Sequence, residues 1–136
     1  MTRQMFINLP VENLTKSKPF YKALGFSINP LFSDESQQCF VWSDAVYVML
    51  QTSTFFYAHK EFSVTKPMNH SSHTLHVTSA IEVDELVAQA ISAGGAETGP
   101  SVQESFMYLR TVVDLDGHVW GIMHLDAALF KLKKGR

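Results

Sequence analysis

The pattern of apolar and polar positions begins with an alternating segment at residues 5–11. Its two sets of side chains are Ile7, Leu9 and Val11 on one side and Phe6, Asn8 and Pro10 on the other. Alternation with a period of two predicts a β-strand with one buried face. Because proline cannot donate a ladder hydrogen bond, Pro10 places this end at a sheet edge or a strand terminus.

A helix is predicted next, from an apolar stripe around residues 20–24 that stops at Gly25. Either Asn13 or Ser17 can cap its N-terminus, since both side chains accept a hydrogen bond from a free backbone N–H. Pro19 fits a helix that starts near Ser17 and bends a helix that starts earlier. The sequence alone leaves both starts open.

Two strand-like runs, residues 39–42 and 46–50, predict a hairpin with a short turn between them. Residues 52–71 lack a clear period, although they carry several aromatic side chains. We interpret them as an ordered connector with a short helix around residues 54–59.

The pattern restarts in the second half of the chain. Alternation over residues 74–78 predicts a strand, and Ser79 and Glu82 form a capping box that begins a helix. That helix is expected to stop at Gly94. Two strands, residues 106–113 and 119–125, are predicted next, joined through residues 114–118, where an Asp-Gly pair indicates a hairpin with both turn residues at positive φ.

A strand, a capped helix, a glycine stop and a hairpin therefore occur twice, which indicates an internal repeat of about half the chain. Leu9 in the first copy corresponds to Leu75 in the second, and Gly25 corresponds to Gly94. Each copy would place one helix on one face of its sheet and leave the other face bare. Two bare faces brought together would form a concave surface suited to a small ligand.

Composition narrows the class of protein. The chain has 136 residues, of which 46% are hydrophobic, and a formal net charge of −2. This length predicts one domain, and the charge gives no basic surface for nucleic acid. No apolar run reaches the length of a membrane span. Cys39 is the only cysteine, which excludes an internal disulfide or a multi-cysteine zinc site and favours a reducing, cytoplasmic location.

Four segments resemble one protein family. They are residues 8–14, 16–21, 24–26 and 114–120, the last reading Asp-Leu-Asp-Gly-His-Val-Trp. By these motifs the chain is identified as a member of the vicinal oxygen chelate superfamily, which includes glyoxalase I, bleomycin-resistance proteins and extradiol dioxygenases. The resemblance implies an α+β fold in which two tandem βαβββ modules form an eight-stranded open cleft, often within a homodimer.

On this basis residues 1–136 are expected to form a single glyoxalase/bleomycin-resistance-like domain. Module one is expected to span about residues 4–52, the connector residues 53–71, and module two about residues 72–126. The cleft would take a small-molecule ligand.

The resemblance also implies a divalent metal, held by His, Glu and Gln side chains from four strands. The matching positions in this chain are Phe6, Val48, Ser72 and Gly121. None of them supplies a side chain that binds Zn, Ni, Fe or Mn well. A shift of one residue would replace Ser72 with His73 and would still give one strong ligand of four. We therefore expect no metal cofactor at the usual site of the family.

Six residues are predicted to contact a ligand in the cleft: Asn8, Trp42, Val48, His76, Tyr108 and Arg110. Strand alternation puts Asn8 and His76 on the bare faces, and the register implied by the family puts Val48 there. No residue is assigned a catalytic role.

Aromatic side chains leave two interpretations open. Trp42, Tyr47, Tyr108 and Trp120 can stack on a flat substrate, or they can pack as core and interface aromatics.

Arg110 lies in the middle of a predicted strand among apolar residues, where an unpaired cation is costly. It either pairs with a carboxylate such as Glu104 or Asp114, or it faces an anionic ligand.

His70, His73 and His76 are spaced three residues apart, which raises the possibility of a metal cluster. On a strand, however, positions 70 and 76 face one way and position 73 the other. With no Cys or carboxylate beside them, a histidine in a loop followed by strand residues is the better interpretation.

Three functions are therefore considered. The first is a protein that binds a small aromatic or anionic molecule without a metal, as the bleomycin-resistance branch does. The second is a glyoxalase I-like lyase or dioxygenase that uses a displaced metal at His73, His76 or Gln51. The third is a non-catalytic domain that binds a partner protein.

Overall fold

Long-range contacts divide the chain into two units, Met1–His70 and Ser71–Arg136. The computed structural model describes residues 3–58 and 71–134. Each unit combines helices with its own β-sheet, which confirms the predicted α+β class. The open cleft expected between the modules stays a prediction.

Within residues 3–58, the first unit contains four strands and two helices. They are β1 (Met5–Val11), α1 (Leu14–Ala23), β2 (Ser27–Asn29), β3 (Gln37–Val41), β4 (Val46–Thr52) and α2 (Ser53–Ala58). The sheet order is β1-β4-β3-β2, with β1 parallel to β4 and the other pairs antiparallel. A 3-10 turn, Pro30–Phe32, follows β2. The hairpin and the short helix of the connector are where the sequence predicts them.

Helix α1 begins at the earlier of the two predicted starts. The side chain of Asn13 accepts a hydrogen bond from the backbone N–H of Lys16 at 3.0 Å, so Asn13 is the N-cap. Pro19 therefore lies inside the helix, where it removes one backbone donor.

One face of the first sheet packs against α1. Tyr21 of α1 contacts Phe40 of β3, with the ring centroids 5.5 Å apart, and both side chains are fully buried. Phe40 pairs with Val48 of β4, which in turn pairs with Ile7 of β1. Because paired residues in adjacent strands share a face, this register defines the helix-covered face of the first unit.

The second unit repeats this arrangement with one interruption. Its elements are β5 (Ser72–His76), α3 (Ala80–Ser92), β6 (Ala96–Glu97), β7 (Val102–Glu104), β8 (Met107–Val113), β9 (Val119–Leu125) and α4 (Ala127–Lys134). The order β5-β9-β8-β6 matches the first sheet, and β7 also pairs with β8. The βαβββ module is thus confirmed in both units. Among the described residues the expected eight strands become nine, since two short strands, β6 and β7, flank Gly99, whose φ is +71°.

The capping box at the start of α3 forms with a changed partner. The hydroxyl of Ser79 accepts from the backbone N–H of Glu82 at 3.1 Å, as predicted. The Glu82 carboxylate accepts from the backbone N–H of Thr78 at 2.8 Å, one residue before the expected donor. The Thr78 hydroxyl donates to the same carboxylate at 2.9 Å, and the two hydrogen bonds from Thr78 lower the pKa of Glu82.

The connection between β8 and β9 spans residues 114–118, as the sequence predicts, but its backbone conformation differs from the expected one. Gly117 has a φ of +90°, but no non-glycine residue in the described ranges has a positive φ, so Asp116 does not. Instead the buried Asp114 accepts hydrogen bonds from the backbone N–H groups of Asp116 and His118 at 2.9 and 2.8 Å. The turn is therefore held by a side chain rather than by two left-handed residues.

Helix α4 is not predicted by the sequence pattern. Its N-terminus is capped by Asp126, whose carboxylate accepts from the backbone N–H of Leu129 at 3.0 Å. None of the helices in residues 3–58 and 71–134 is long and apolar enough to cross a membrane.

Candidate functional site

The face of the first sheet opposite α1 carries a row of aromatic and flexible side chains. Phe6 pairs with Tyr47, and Asn8 pairs with Met49. The rings of Phe6 and Tyr47 stack with centroids 4.7 Å apart and planes inclined by 11°. Phe6 is about half exposed, at 51%, whereas Met49 is buried at 8%. This face therefore combines an accessible aromatic ring with an apolar floor.

A pocket of about 490 Å³ lies on this face, entirely within the first unit. Its lining combines sheet residues with the segment that follows β2. The lining residues are Phe6, Asn8, Leu31, Phe32, Ser33, Asp34, Gln37 and Met49. This volume lies within the range of small-molecule sites.

The 3-10 turn Pro30–Phe32 forms the rim of the pocket and holds two large apolar side chains in solvent. Leu31 is 81% exposed and Phe32 is 60% exposed. The turn is fixed by Asn29, whose side chain accepts from the backbone N–H of Leu31 at 3.0 Å. The pocket rim is thus built by local hydrogen bonds and not by burial of its own apolar groups.

Side-chain hydrogen bonds hold the chain between the turn and β3. Ser33 donates from its hydroxyl to the carbonyl of Asn29 at 2.8 Å and accepts from the N–H of Cys39 at 2.9 Å. The Oδ1 atom of Asp34 accepts from the N–H groups of Ser36 and Gln37 at 2.8 and 3.1 Å. Both hydrogen bonds are accepted by Oδ1, which fixes the position of the Asp34 carboxylate. The second oxygen, Oδ2, takes part in neither bond.

The position expected at Val48 is corrected by the register. Val48 is fully buried and pairs with Ile7 and Phe40, so it lies on the face covered by α1. Tyr47 and Met49 take the corresponding places on the pocket face. Neither residue is a good ligand for the metals the family uses.

The second sheet does not supply the missing donors. Gly121 of β9 pairs with Thr74 of β5, so Ser72, Thr74 and Gly121 share one face. A β-carbon at Gly121 would lie 3.0 Å from Oγ1 of Thr74 and 3.1 Å from Cδ1 of Leu109. A glutamate here would crowd both neighbours. The four positions implied by the family do not fit a divalent metal.

His73 lies on the opposite, helix-covered face, so it does not take the place of Ser72. It pairs with the buried Trp120, with the ring centroids 5.0 Å apart. His76 is exposed, and its Nε2 atom lies 3.3 Å from the carbonyl oxygen of Leu125. His70 is outside the described residues. Within the described part of the chain, no three His, Cys, Asp or Glu side chains are grouped to hold a metal ion.

Arg110 and Tyr108 are also placed on the helix-covered face of the second unit, which corrects their assignment to the ligand. Arg110 donates from Nε and Nη2 to Glu97 of β6 at 2.8 and 2.6 Å, and from Nη1 to Asp84 of α3 at 2.8 Å. Tyr108 donates to the same Asp84 oxygen at 2.6 Å. The carboxylate partners are thus Asp84 and Glu97, not the two named from the sequence.

This network sets the ionisation of its members. Hydrogen bonds from Tyr108 and then Arg110 lower the pKa of Asp84, and the bond from Arg110 lowers the pKa of Glu97. The pKa of Tyr108 is raised, mainly because Asp84 accepts its proton in a hydrogen bond. The cluster is therefore a cation paired with two carboxylates, and it joins α3, β6 and β8.

The remaining aromatic candidates pack within their own units. Trp42 contacts Phe26, with the ring centroids 5.3 Å apart, and Trp120 is 1% exposed in the second unit. Trp42 and Trp120 therefore pack against other residues of their own units, as in the second of the two sequence interpretations. Of the six predicted ligand-binding residues, only Asn8 lines the pocket, and His76 is exposed on the second sheet.

Sequence reasoning missed most of the pocket. The missed residues are Leu31, Phe32, Ser33, Asp34, Gln37 and Met49. The available signal was the Asn-Pro pair at residues 29–30, a turn initiator placed before two apolar residues.

We predict that Gly121→Ala lowers the free energy of unfolding by about 1–2 kcal/mol, because the new methyl group crowds Thr74 and Leu109. Chemical denaturation measures the change. Thr74→Ala in the same chain should restore part of the loss, whereas equal losses in the single and double variants would contradict the steric explanation.

His73 is expected to make stability depend on pH. Its Nδ1 atom is buried without a partner among the described residues, and burial, followed by the charge of His118, lowers its pKa below 6.5. The unfolded chain therefore binds this proton more readily. The stabilising contribution is present above about pH 6.5 and is lost as the pH falls through the folded pKa.

The corresponding measurement is urea denaturation between about pH 7.5 and pH 5. The unfolding free energy should fall less steeply with acidification in His73→Phe than in the parent chain. His76→Phe controls for the removal of an imidazole from an exposed position. Identical slopes in the parent chain and His73→Phe would contradict this role.

Arg110→Ala should destabilise the protein by about 1 kcal/mol without weakening ligand binding, because Asp84 and Glu97 lose their shared cation away from the pocket. Denaturation and ligand titration on the same sample separate the two effects. Arg3→Ala removes an exposed arginine as the control. If Arg110→Ala weakened ligand binding and left stability unchanged, Arg110 would be a ligand-binding residue and the prediction would be wrong.

Comparison with known proteins gives a consistent picture. The family profile described as bleomycin resistance protein-like N-terminal matches residues 3–43. A structure of a hypothetical protein from S. aureus is 32% identical, with 91% of this chain and 95% of that chain covered and a TM-score of 0.75. No curated protein sequence gives a significant match.

Two further solved structures share the fold at lower identity. A glyoxalase/bleomycin resistance protein/dioxygenase family enzyme from Burkholderia phytofirmans is 15% identical, with coverages of 88% and 96% and a TM-score of 0.76. A glyoxalase-related enzyme from Fulvimarina pelagi is 20% identical, with coverages of 91% and 88% and a TM-score of 0.77.

Proposed function

We propose that the chain, which matches the bleomycin resistance protein-like N-terminal profile over residues 3–43 and shares its fold with glyoxalase and bleomycin-resistance proteins, binds a small aromatic molecule without a divalent metal. The ligand lies against the exposed face of the first sheet, in the pocket rimmed by the turn Pro30–Phe32. A homodimer in the cytoplasm is part of this proposal.

The pocket lining is the observation that carries the proposal. Phe6, Leu31 and Phe32 expose 51%, 81% and 60% of their surface and line the same pocket, and exposed apolar groups gathered in one patch mark an interaction site. Met49 offers a polarisable floor that adapts to different ring shapes. Asn8 adds a carboxamide that makes no hydrogen bond within the described residues, so it is available to a ligand.

An anionic ligand, the other part of the first hypothesis, loses its support. The residue expected to bind an anion was Arg110, and its guanidinium is hydrogen-bonded to Asp84 and Glu97. Among the described residues that line the pocket, Asp34 is the only charged one, and it repels anions.

Metal-dependent lyase or dioxygenase chemistry also receives no support from the donor set. The positions implied by the family hold Phe6, Ser72 and Gly121, with Tyr47 or Met49 in place of Val48. Gln51, considered for a displaced metal, donates from Nε2 to Gln37 at 3.1 Å. The proposed function therefore includes no metal-dependent step.

We expect neutral aromatic fragments to bind the chelator-treated protein, as measured by ligand-observed NMR and thermal shift. Phe32→Ala should weaken the best fragment about tenfold, since it removes part of the apolar surface that the ligand covers. Ile81→Ala, which shortens a side chain that is 70% exposed on α3, serves as the matched control.

Two results would contradict the proposal. Fragment binding that disappears with chelator and returns with Zn, Ni, Fe or Mn would favour the metal-dependent alternative. Equal affinity in Phe32→Ala and Ile81→Ala would place the ligand away from this pocket.

A further inference from the structure

Asp34 gives the pocket a charge preference, and we propose that the bound molecule is a flat aromatic cation. This inference rests on the proposed function and names the class of its ligand. Its positive group would pair with the carboxylate of Asp34, while its ring would lie on the aromatic and apolar lining. The geometry of the turn after β2 carries the inference.

The carboxylate of Asp34 is held in place and lacks a cationic partner. Oδ1 accepts two backbone hydrogen bonds, from Ser36 and Gln37, which fix the side chain at the pocket wall. Within residues 3–58 and 71–134, no Lys, Arg or His forms an ion pair with Asp34. The neighbouring Glu35 is also exposed and adds negative charge to the same segment.

Aromatic rings line the same pocket as this carboxylate. Phe32 lies two residues before Asp34 and lines the same pocket, and Phe6 lines it from β1. The faces of aromatic rings attract cations, and a nearby carboxylate adds to that attraction. A neutral ligand gains only the apolar contact, and an anion is repelled by Asp34.

The polar groups of the remaining lining fit this preference. The carboxamide oxygen of Asn8 can accept from the N–H groups of a protonated amine, whereas Oε1 of Gln37 already accepts from Nε2 of Gln51 at 3.1 Å. The Ser33 hydroxyl already donates its proton to the carbonyl of Asn29, so it offers a ligand only an acceptor. The described lining can thus accept hydrogen bonds from a protonated amine.

The test uses three ligands with the same ring and different charge: tryptamine, tryptophol and indole-3-acetate. Isothermal titration of the full chain should give the order tryptamine, then tryptophol, then indole-3-acetate, with tryptamine about threefold to tenfold tighter than tryptophol. The preference for tryptamine should shrink as salt is raised, because an exposed ion pair is screened.

Asp34→Asn is the discriminating variant. The carboxamide oxygen still accepts the two backbone hydrogen bonds, so the turn is retained while the charge is lost. We expect tryptamine to weaken at least twofold and tryptophol to keep its affinity. Asp44→Asn, at an exposed aspartate outside the pocket lining, should leave both affinities unchanged.

The outcomes separate this inference from the proposed function. If tryptophol binds and Asp34→Asn leaves the ratio of the two affinities unchanged, the charge preference is wrong while the aromatic pocket stands. If indole-3-acetate binds the parent chain more tightly than tryptamine, the preference is reversed and the inference is overturned. If none of the three ligands binds, both the inference and the proposed function fail.

Discussion

The parallel pairing of β1 with β4 is the constraint on which the first unit depends. Each residue of β1 shares its face with its partner on β4, so Ile7 and Val48 lie toward α1 while Asn8 and Met49 lie on the pocket face. A slip of one residue would exchange the two sets and bury the polar Asn8 under the helix. The register therefore decides both how the core packs and which side chains can meet a ligand.

Alternation predicted the faces of β1, whereas the register implied by the family placed Val48 of β4 on the wrong face, for a physical reason. Only one face of β1 is buried, so its apolar residues alternate. In β4, Val48 and Met49 are adjacent and both buried, although they lie on opposite faces. A strand buried on both sides carries no period-two signal, and its facing can be fixed only by its neighbours. Carboxylate pairing of Arg110 was one of the two sequence interpretations, but its partners Glu97 and Asp84 were not identified because they lie 13 and 26 residues away along the chain.

The hydrophobic pattern could not predict the pocket rim, because a three-residue 3-10 turn is too short to show a period. Leu31 and Phe32 are apolar without being buried, and a pattern that equates apolar with core assigns them no role. Their position depends on side-chain to backbone hydrogen bonds from Asn29, Ser33 and Asp34. Such bonds favour turns over regular structure. From the sequence alone, Asn, Ser and Asp indicate that a turn forms, but not which backbone groups their side chains bind.

The two units have the same strand order, yet only in the first does the chain leave the sheet after the edge strand. Pro30 follows β2 and cannot donate to a ladder, and pairing with β3 is not resumed. In the second unit the ladder resumes as β7 beside β8. The segment freed in the first unit carries Phe32 and Asp34 into the pocket. The internal repeat therefore predicts the shared architecture, whereas the pocket depends on a connection in which the copies differ.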